Sequence, residues 1–286
     1  MKEKLKGYLI AKYTNMIGSY SCYRLLEEAK KMGIDLKLIG TCDLCFFEGK
    51  FFHRGELLER RDFIINRYKF GHLKDELSNL AARSYNEISA FNIYLDKFKQ
   101  LENIKSSNFK NPKFILATAD KKYEFLKRYL GEKFVAKGLT GSEGDEIYLI
   151  KNQEGLENIN EKYGPEKEWV FEEFIEQSFG RDLRIYSIRG RAAGCMMRKS
   201  EKDFRANFAL GGKVSNFEIT PKINDICRDI YKITGIDFLG IDLLFGKDDL
   251  YFCEVNVAAG IMGMEKATGV NIAGKVLETI REDFNE

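Results

Sequence analysis

The chain has 286 residues, with 46 Lys and Arg against 44 Asp and Glu and a formal net charge of +2. That length is enough for two or three compact lobes, and so even a charge balance gives no reason to invoke nucleic acid or an anionic membrane as a partner. With 44% hydrophobic and 31% charged residues the composition is that of an ordinary globular protein, and no apolar run approaches the roughly 18 residues of a membrane helix.

The first stretch, MKEKLKGYLIAKYTN, has an apolar run of only YLIA, too short for a signal-peptide core, so a cytoplasmic location is expected. GYLIAKY reads as a strand, followed by a loop at Gly18–Ser21. A helix over CYRLLEEAKKMG then puts Leu25, Leu26, Ala29 and Met32 on one face and closes at Gly33. IDLKLIG and DFIINRY read as strands and HLKDELSNLAARSY as a helix. Such alternation predicts a small parallel-sheet domain over residues 1–90.

Between them lies TCDLCFFEGKFFHRGE, an insert with a CxxC at Cys42 and Cys45. Zinc would want two more ligands, and the chain has only His53 and His72, so the default is two free thiols in a reducing compartment.

Residues 91–171 read as a middle α/β unit. Helices are expected over IYLDKFKQLENI and KKYEFLKRYLG, and strands over PKFILAT, KFVAKG and EIYLI, the last two flanking LTGSEGD. Residues 172–286 change character. EWVFEEFI, at the junction, is read with DLRIYSIRG, RAAGCMMRK, FLGIDLLF and LYFCEVNV as an antiparallel sheet. NDICRDIYKITG and NIAGKVLETIRED are read as its covering helices. The fold class is therefore α/β and α+β: a Rossmann-like first domain, a small middle lobe and a larger body on an antiparallel sheet.

The stretch GIDLLFGKDDLYFCEVNVAAG (240–260) places two acids and an amide inside apolar strands. Residues two apart share a strand face, so Asp242 lies apart from Ile241 and Leu243, and Glu254 and Asn256 lie together. Asp242 faces Glu254 if paired residue numbers sum to 496, which a three- or five-residue loop gives and a two- or four-residue loop does not. Facing carboxylates repel, whereas a divalent cation between them reverses the sign. Asp, Glu and Asn oxygens are hard donors of the kind Mg²⁺ takes while keeping positions for water and phosphate, and Gly240 would leave space beside them. A solvated polar face on an edge hairpin gives the same pattern.

Other stretches weigh on the choice. Lys137 ends the strand FVAK and is followed by Gly138, Gly141 and Gly144, a fixed charge beside a loop whose backbone N–H groups can approach phosphates. In KDFRANFALGG, Arg205 and Asn207 would share a strand face. In VFEEFIEQSFGRDLRIY, Asp182 follows a polar turn at the spacing of a ribose acceptor. GVNIAGKV fits GxxxxGK, but Val276 stands where a P-loop needs Ser or Thr and the match falls in helical sequence.

Taken in order, SYSCYRLLEEAKKMG, NIYLDKFKQL, FVAKGLTGSEG, FEEFI, GRDLRIYSI, MMRKSEKDFRANFALGG, LGIDLL and EVNVAAGIMGMEKATGVNIAGK resemble the ATP-grasp superfamily, and within it the RimK-type carboxylate–amine ligases, over nearly the whole chain. The resemblance implies ATP and Mg²⁺ as cofactors, with Mn²⁺ as a substitute. It implies that Lys137 and, less consistently across the family, Lys97 meet ATP phosphates. Glu173 with the backbone of Phe174 and Ile175 would hold adenine, and Asp182 ribose. Arg205 and Asn207 would line the phosphates, and Arg198 would stand near an acyl phosphate, making Arg198 and Arg205 the catalytic pair. Asp242, Glu254 and Asn256 would be the metal ligands.

The implied reaction joins a carboxylate, on a small molecule, peptide or protein tail, to an amine such as that of glutamate. Nucleic acid and membrane are not implied, and a homo-oligomer is compatible with the sequence. The chain departs from its relatives at VAAG, which lacks a common proline, and at Ala209-Leu210, where His-Arg is common near the acceptor. A catalytically silent ATP-binding regulator, a phosphotransferase and a ligase that modifies ribosomal peptides fit the same residues.

Overall fold

A computed structural model of the chain describes residues 4–12, 19–69, 71–105, 109–141, 146–201, 203–206 and 212–284. The first apolar run forms β1 (Lys6–Ala11). Helix α1 (Tyr20–Lys31) follows, capped by Ser19, which accepts from the Cys22 N–H, and it buries Leu25 and Ala29 on its expected face. Strand β2 (Asp35–Gly40) returns parallel to β1. The insert folds into an antiparallel meander of β3 (Leu44–Phe47), β4 (Lys50–His53) and β5 (Glu56–Leu57). Its Phe51 packs with Tyr8, Ile10 and Ile64, so the insert covers one face of the first sheet. Cys42 and Cys45 are free and exposed.

Strand β6 (Arg61–Asn66), the short α2 (Leu73–Glu76) and β7 (Ala81–Tyr85) complete a parallel sheet in the order β2-β1-β6-β7. The helix expected over HLKDELSNLAARSY therefore ends early. Leu77 and Leu80 are buried in a 3₁₀ turn, and Ala81–Tyr85 is drawn into the sheet by pairing with β6, a tertiary contact that overrides local helix propensity.

The helix expected over IYLDKFKQLENI is likewise two, α3 (Ile88–Ile93) and α4 (Lys97–Ile104). The break falls where Asp96 takes the N-cap of α4 and accepts from the Lys99 N–H. Then come β8 (Phe114–Thr118), α5 (Tyr123–Leu130), β9 (Phe134–Gly138), β10 (Ile147–Ile150), α6 (Gln153–Tyr163) and β11 (Glu168–Glu173). They form an antiparallel sheet, β10-β9-β11-β8. EWVFEEFI thus belongs to the middle sheet and not to the C-terminal one, because β11 finds partners in β9 and β8. Helix α6 is an element the sequence reading did not contain.

The last body holds β12 (Arg181–Ile188), β13 (Arg191–Lys199), β14 (Lys213–Asn216), α7 (Pro221–Thr234), β15 (Phe238–Phe245), β16 (Leu250–Asn256), α8 (Met262–Thr268) and α9 (Ile272–Asp283). Its sheet runs β14-β13-β12-β15-β16, antiparallel throughout. Helix α7 buries Ile223, Ile226 and Ile230 with Leu183, Ile185, Ile241 and Leu243. Helix α9 crosses to the first domain, where Val276, Leu277 and Ile280 share a core with Leu25 and Ala29. The GxxxxGK match runs into α9, with Gly274 and Lys275 inside the helix, as its lack of a Ser or Thr implies. Among the described residues no helix is long and apolar enough to cross a membrane.

Two polar contacts lock the first domain to the last body. Buried Asn86 donates to Phe238 O (2.7 Å) and Val257 O (2.9 Å) and accepts from Phe238 N (2.8 Å). Asp283, on α9, takes hydrogen bonds from Arg189 (Nη1, 2.8 Å) and from Tyr85, and pairs with Arg83 (2.9 Å). The bond from Arg189 holds the Asp283 carboxyl below its usual range, helped by Tyr85 and Arg83 against the effect of burial. Its contribution is complete above the unfolded value of about 3.9 and fades as pH falls through the lower folded value. Asp283→Asn is expected to lower the urea midpoint clearly at pH 7, with the gap to the parent closing as pH is taken below about 4; equal gaps at both pH values would remove the charge from the explanation.

Candidate active site

Four neighbouring strands of the last sheet set charged side chains in register. Asp182 lies opposite Arg198 across β12 and β13, Arg184 opposite Asp242 across β12 and β15, and Asp242 opposite Glu254 across β15 and β16. Arg198 meets Asp182 with both ends of its fork, Nε at 2.6 Å and Nη2 at 2.8 Å, and Nη2 also reaches Asp242 Oδ2 at 2.8 Å. Arg184 holds Asp242 from the other side through Nε and through Nη2 at 2.6 Å. All four side chains are buried, Asp242 to 2% exposure. Burial alone would raise the Asp242 pKa, but Arg184 and Arg198 outweigh it and hold the carboxylate at about 2. Arg198 is therefore not an exposed arginine at a strand end, and Asp182, read as a ribose acceptor, has both oxygens on Arg198.

The Asp242–Glu254 register is the one that suits a shared cation, yet the loop is not the one expected to produce it. Residues 246–249 make a four-residue connection, and Leu243 pairs with Phe252, one step out of phase. A bulge between Asp242 and Leu243 restores the pairing of Asp242 with Glu254, and an inserted residue of this kind re-aims side chains. Phe252 stays fully buried in the core, whereas Cys253 brings its Sγ to 3.9 Å from Lys137 Nζ. Gly240 does not leave open space. A Cβ there would lie 2.8 Å from Ala259 Cβ and 3.2 Å from Arg184 Cδ, so glycine is what lets the arginine stem pass.

Lys137 crosses from the middle sheet. It is 7% exposed and bonded to Glu172 on β11 at 2.8 Å. Burial would lower its pKa, but Cys253, Glu172 and Glu254 more than offset that and keep the ammonium above its ordinary range. Glu172 is a site residue the sequence reading missed; the signal was an acid in the buried run WVFEEF beside the hinge. Glu173 accepts from the Lys113 N–H at 3.2 Å, Phe174 lies edge-on to Phe179 and Phe204, and Ile175 is buried. Lys97, at the start of α4, donates to Gly141 O at 3.4 Å. Arg205 is not on a strand: it follows a bend and its Nη2 pairs with Asp203 at 2.7 Å. Asn207, Ala209-Leu210 and the loop residues 142–145 lie outside the described residues.

The backbone around Glu254 and Asn256 is held by side chains from elsewhere, again unforeseen. Gln100 of α4 brackets Val255, accepting from its N–H at 2.8 Å and donating to its carbonyl at 3.1 Å. Arg67, just past β6, donates through Nη2 to Ala258 O and Ala259 O, both at 3.1 Å. Asn256 Oδ1 accepts from the Ala258 N–H at 3.1 Å. Beside them stands Lys69, whose pKa burial lowers to about 8; Glu254 opposes the shift while Arg67, Arg184 and Lys97 add to it. Among the described residues no group of three or more His, Cys, Asp and Glu is gathered as for a metal. The donors here are two facing carboxylates and an amide, a set that fits Mg²⁺, which binds through one or two carboxylates and completes its shell with water and phosphate.

Two sheets bringing a lysine and a carboxylate pair together, with a parallel-sheet domain closing the third side, define the class of ATP-grasp ligases. Known structures share the fold: an ATP-grasp ligase, PsnB, complexed with a minimal precursor superimposes with a TM-score of 0.74 at 17% identity over 98% of this chain and 99% of that one. A Chryseobacterium gregarium RiPP-associated ATP-grasp ligase in complex with ADP and a leader and core peptide gives 0.74 at 17% identity over 98% and 97%. The model of the RimK-like ATP-grasp domain matches residues 95–280, and the chain belongs to that family of ATP-dependent carbon–nitrogen ligases. It is similar over its length to probable alpha-L-glutamate ligases of Methanococcoides burtonii, 27% identical over 92% of each chain, and Psychromonas ingrahamii, 28% identical over 93% of this chain and 92% of that one.

The two facing acids should respond differently to loss of charge. Asp242→Asn leaves two buried guanidinium groups short of a counter-ion and is expected to cost about 3–5 kcal/mol of stability. Glu254 takes no hydrogen bond or ion pair among the described residues, so Glu254→Gln should stay within about 0.5 kcal/mol of the parent. Denaturant titration of both variants without nucleotide checks the contrast.

Proposed function

We propose that the chain forms an amide between L-glutamate and a carboxylate carried by a peptide or protein tail, in the cytoplasm, with ATP as the activating substrate. The observation that carries this reading is the approach of Lys137, on the middle sheet, to the strand that holds Glu254 opposite Asp242. Similarity to probable alpha-L-glutamate ligases supports glutamate as the amine. Asp242, Glu254 and Asn256 would hold Mg²⁺, or Mn²⁺ in its place, and the metal would supply charge neutralisation of the phosphate oxygens.

An oxygen of the acceptor carboxylate attacks the γ-phosphorus of ATP, the bond from that phosphorus to the β–γ bridging oxygen breaks, and ADP leaves with the electron pair. The amine of glutamate attacks the acyl carbon, the carbon–oxygen bond to phosphate breaks, and inorganic phosphate and one proton are released. Neither step calls for a protein nucleophile. Lys137 and Lys97 neutralise charge on the triphosphate, Glu173 to Ile175 frame the adenine, and Arg198 and Arg205 stand by the transferring group, so catalysis is alignment and electrostatic stabilisation. Arg184 fixes the Asp242 carboxylate that the metal would need.

The test is ADP release from ATP and Mg²⁺ in the presence of L-glutamate and a short peptide ending in glutamate. Mass spectrometry should find a product equal to the two substrates less one water. Glu254→Gln should fold normally and lose turnover by on the order of 10²-fold or more. ADP released without an amide would indicate phosphotransfer, and nucleotide binding with no ADP release would indicate a silent regulator.

A further inference from the structure

The last turn of the segment that follows β6 carries a cation the sequence reading did not assign. Asn66 ends that strand and its Oδ1 accepts from the Tyr68 N–H at 2.9 Å, which folds the chain back on itself. Arg67 bonds to the carbonyls of Ala258 and Ala259. The segment is therefore docked on the turn that follows Glu254 and Asn256, and it leaves the sheet at the C-terminal ends of the strands, the edge where parallel sheets present ligands. Lys69 extends from this docked turn and is half-buried.

The surroundings of Lys69 are unusual for a cation. Arg184 and Arg198 are bonded to Asp242 and Asp182, Lys137 to Glu172, Arg67 to two carbonyls, Lys97 to Gly141 O and Arg205 to Asp203. Lys69 has no hydrogen bond or ion pair among the described residues. The charges that act most strongly on it are three further cations, Arg67, Arg184 and Lys97, and one carboxylate, Glu254. A cation removed from water without a partner carries a desolvation penalty. Once Glu254 is engaged by a divalent ion, the reading on which this inference rests, that carboxylate is spent. An anion from outside the chain would then supply the partner that Lys69 lacks.

The geometry points to Lys69 as the group that receives the substrate carboxylate to be phosphorylated. Nucleotide phosphates are served from the middle sheet by Lys137 and from α4 by Lys97, whereas Lys69 comes from the first domain, two residues beyond the Arg67 that docks on the turn after Asn256. A carboxylate that must come against a triphosphate meets strong repulsion, and an ammonium on its own side offsets this while keeping its proton throughout. The carboxylate oxygen still forms the bond to the γ-phosphorus, ADP is still the leaving group, and no proton passes through Lys69.

The anion could equally be an oxygen of the nucleotide, and the experiment separates the two sources. Lys69→Met and Lys69→Arg are assayed for ADP release with ATP, Mg²⁺, L-glutamate and the glutamate-ended peptide, and for MgADP affinity by calorimetry. Expected for Lys69→Met is a rise in the KM for the peptide of about 10-fold or more, the loss typical of a charge-assisted hydrogen bond. Its KM for ATP and its affinity for MgADP should stay within about twofold of the parent, the thermal midpoint should be unchanged or higher, and Lys69→Arg should recover most of the peptide KM. An unchanged peptide KM in Lys69→Met overturns the assignment, as does an equal loss of MgADP affinity, which would make Lys69 a nucleotide residue. A parent enzyme that binds MgADP but releases no ADP with these substrates overturns the ligase reading itself, and the Lys69 assignment falls with it.

Discussion

Asp242 is the residue on which the arrangement of the site depends. It is nearly inaccessible to water, yet it stays ionised because two guanidinium groups approach it from neighbouring strands. A buried carboxylate with one such partner would be a weak source of stability, since desolvation can cancel the attraction. With two partners, one of them shared with Asp182, the charges form a ladder across three strands in which each group is oriented by the next. The ladder keeps a negative charge at a fixed point in a low-dielectric wall, where its field is little screened.

From that fixed point the other elements converge on residues 254–259. Gln100 brackets Val255 as another strand would, Asn86 takes the carbonyl of Val257, and Arg67 takes those of Ala258 and Ala259. These three side chains come from α4, from the residue after β7 and from the residue after β6. The turn beyond β16 is thus determined by contacts distant in sequence, and the bulge before it lets Phe252 remain in the core while Cys253 and Glu254 reach the site. Gly240 belongs to the same construction, since any Cβ there would collide with Ala259 and the stem of Arg184.

Much of this was readable from residue pattern because the site breaks local rules. Acids inside apolar strands marked Asp242 and Glu254, and a lysine ending an apolar strand marked Lys137, since each is out of place unless something compensates for it. Strands β12, β13, β15 and β16 of the last sheet and the helices α1, α5, α7 and α9 followed from periodicity, whereas the edge strand β14 did not. What escaped was whatever depends on a partner far along the chain. AARSY satisfies a helical pattern and becomes a strand only because β6 offers it an edge. WVFEEF carries no mark of which sheet it joins. Arg184 differs from any other strand arginine only through its neighbour Asp242. The pairing of Asp242 with Glu254 was conditional on a three- or five-residue loop and arises instead from a bulge beside a four-residue one, which counting residues cannot distinguish from a change in loop length.

The distribution of cores implies how the site is completed. The first domain and the last body share one apolar cluster, in which α1 packs on α9 and Phe238 and Tyr186 join Phe63 and Tyr85, so the ladder and the clamped turn form part of a single packed unit. The middle sheet has a cluster of its own, drawn from residues 115–171 and centred on Trp169, Phe134 and Phe171. Its other face is not free: Val170 on β11, paired with Lys137, is buried in the same cluster as Leu183, Ile185 and Leu243 of the last sheet, with Phe114 and Leu116 packed against it. The strand that carries Lys137 is thereby seated on the body that carries Asp242 and Glu254. Phosphoryl transfer to a carboxylate needs charges already oriented. Continuous packing between the sheet that bears the lysine and the sheet that bears the acids meets that demand, because neither charge can be displaced without disturbing a close-packed core.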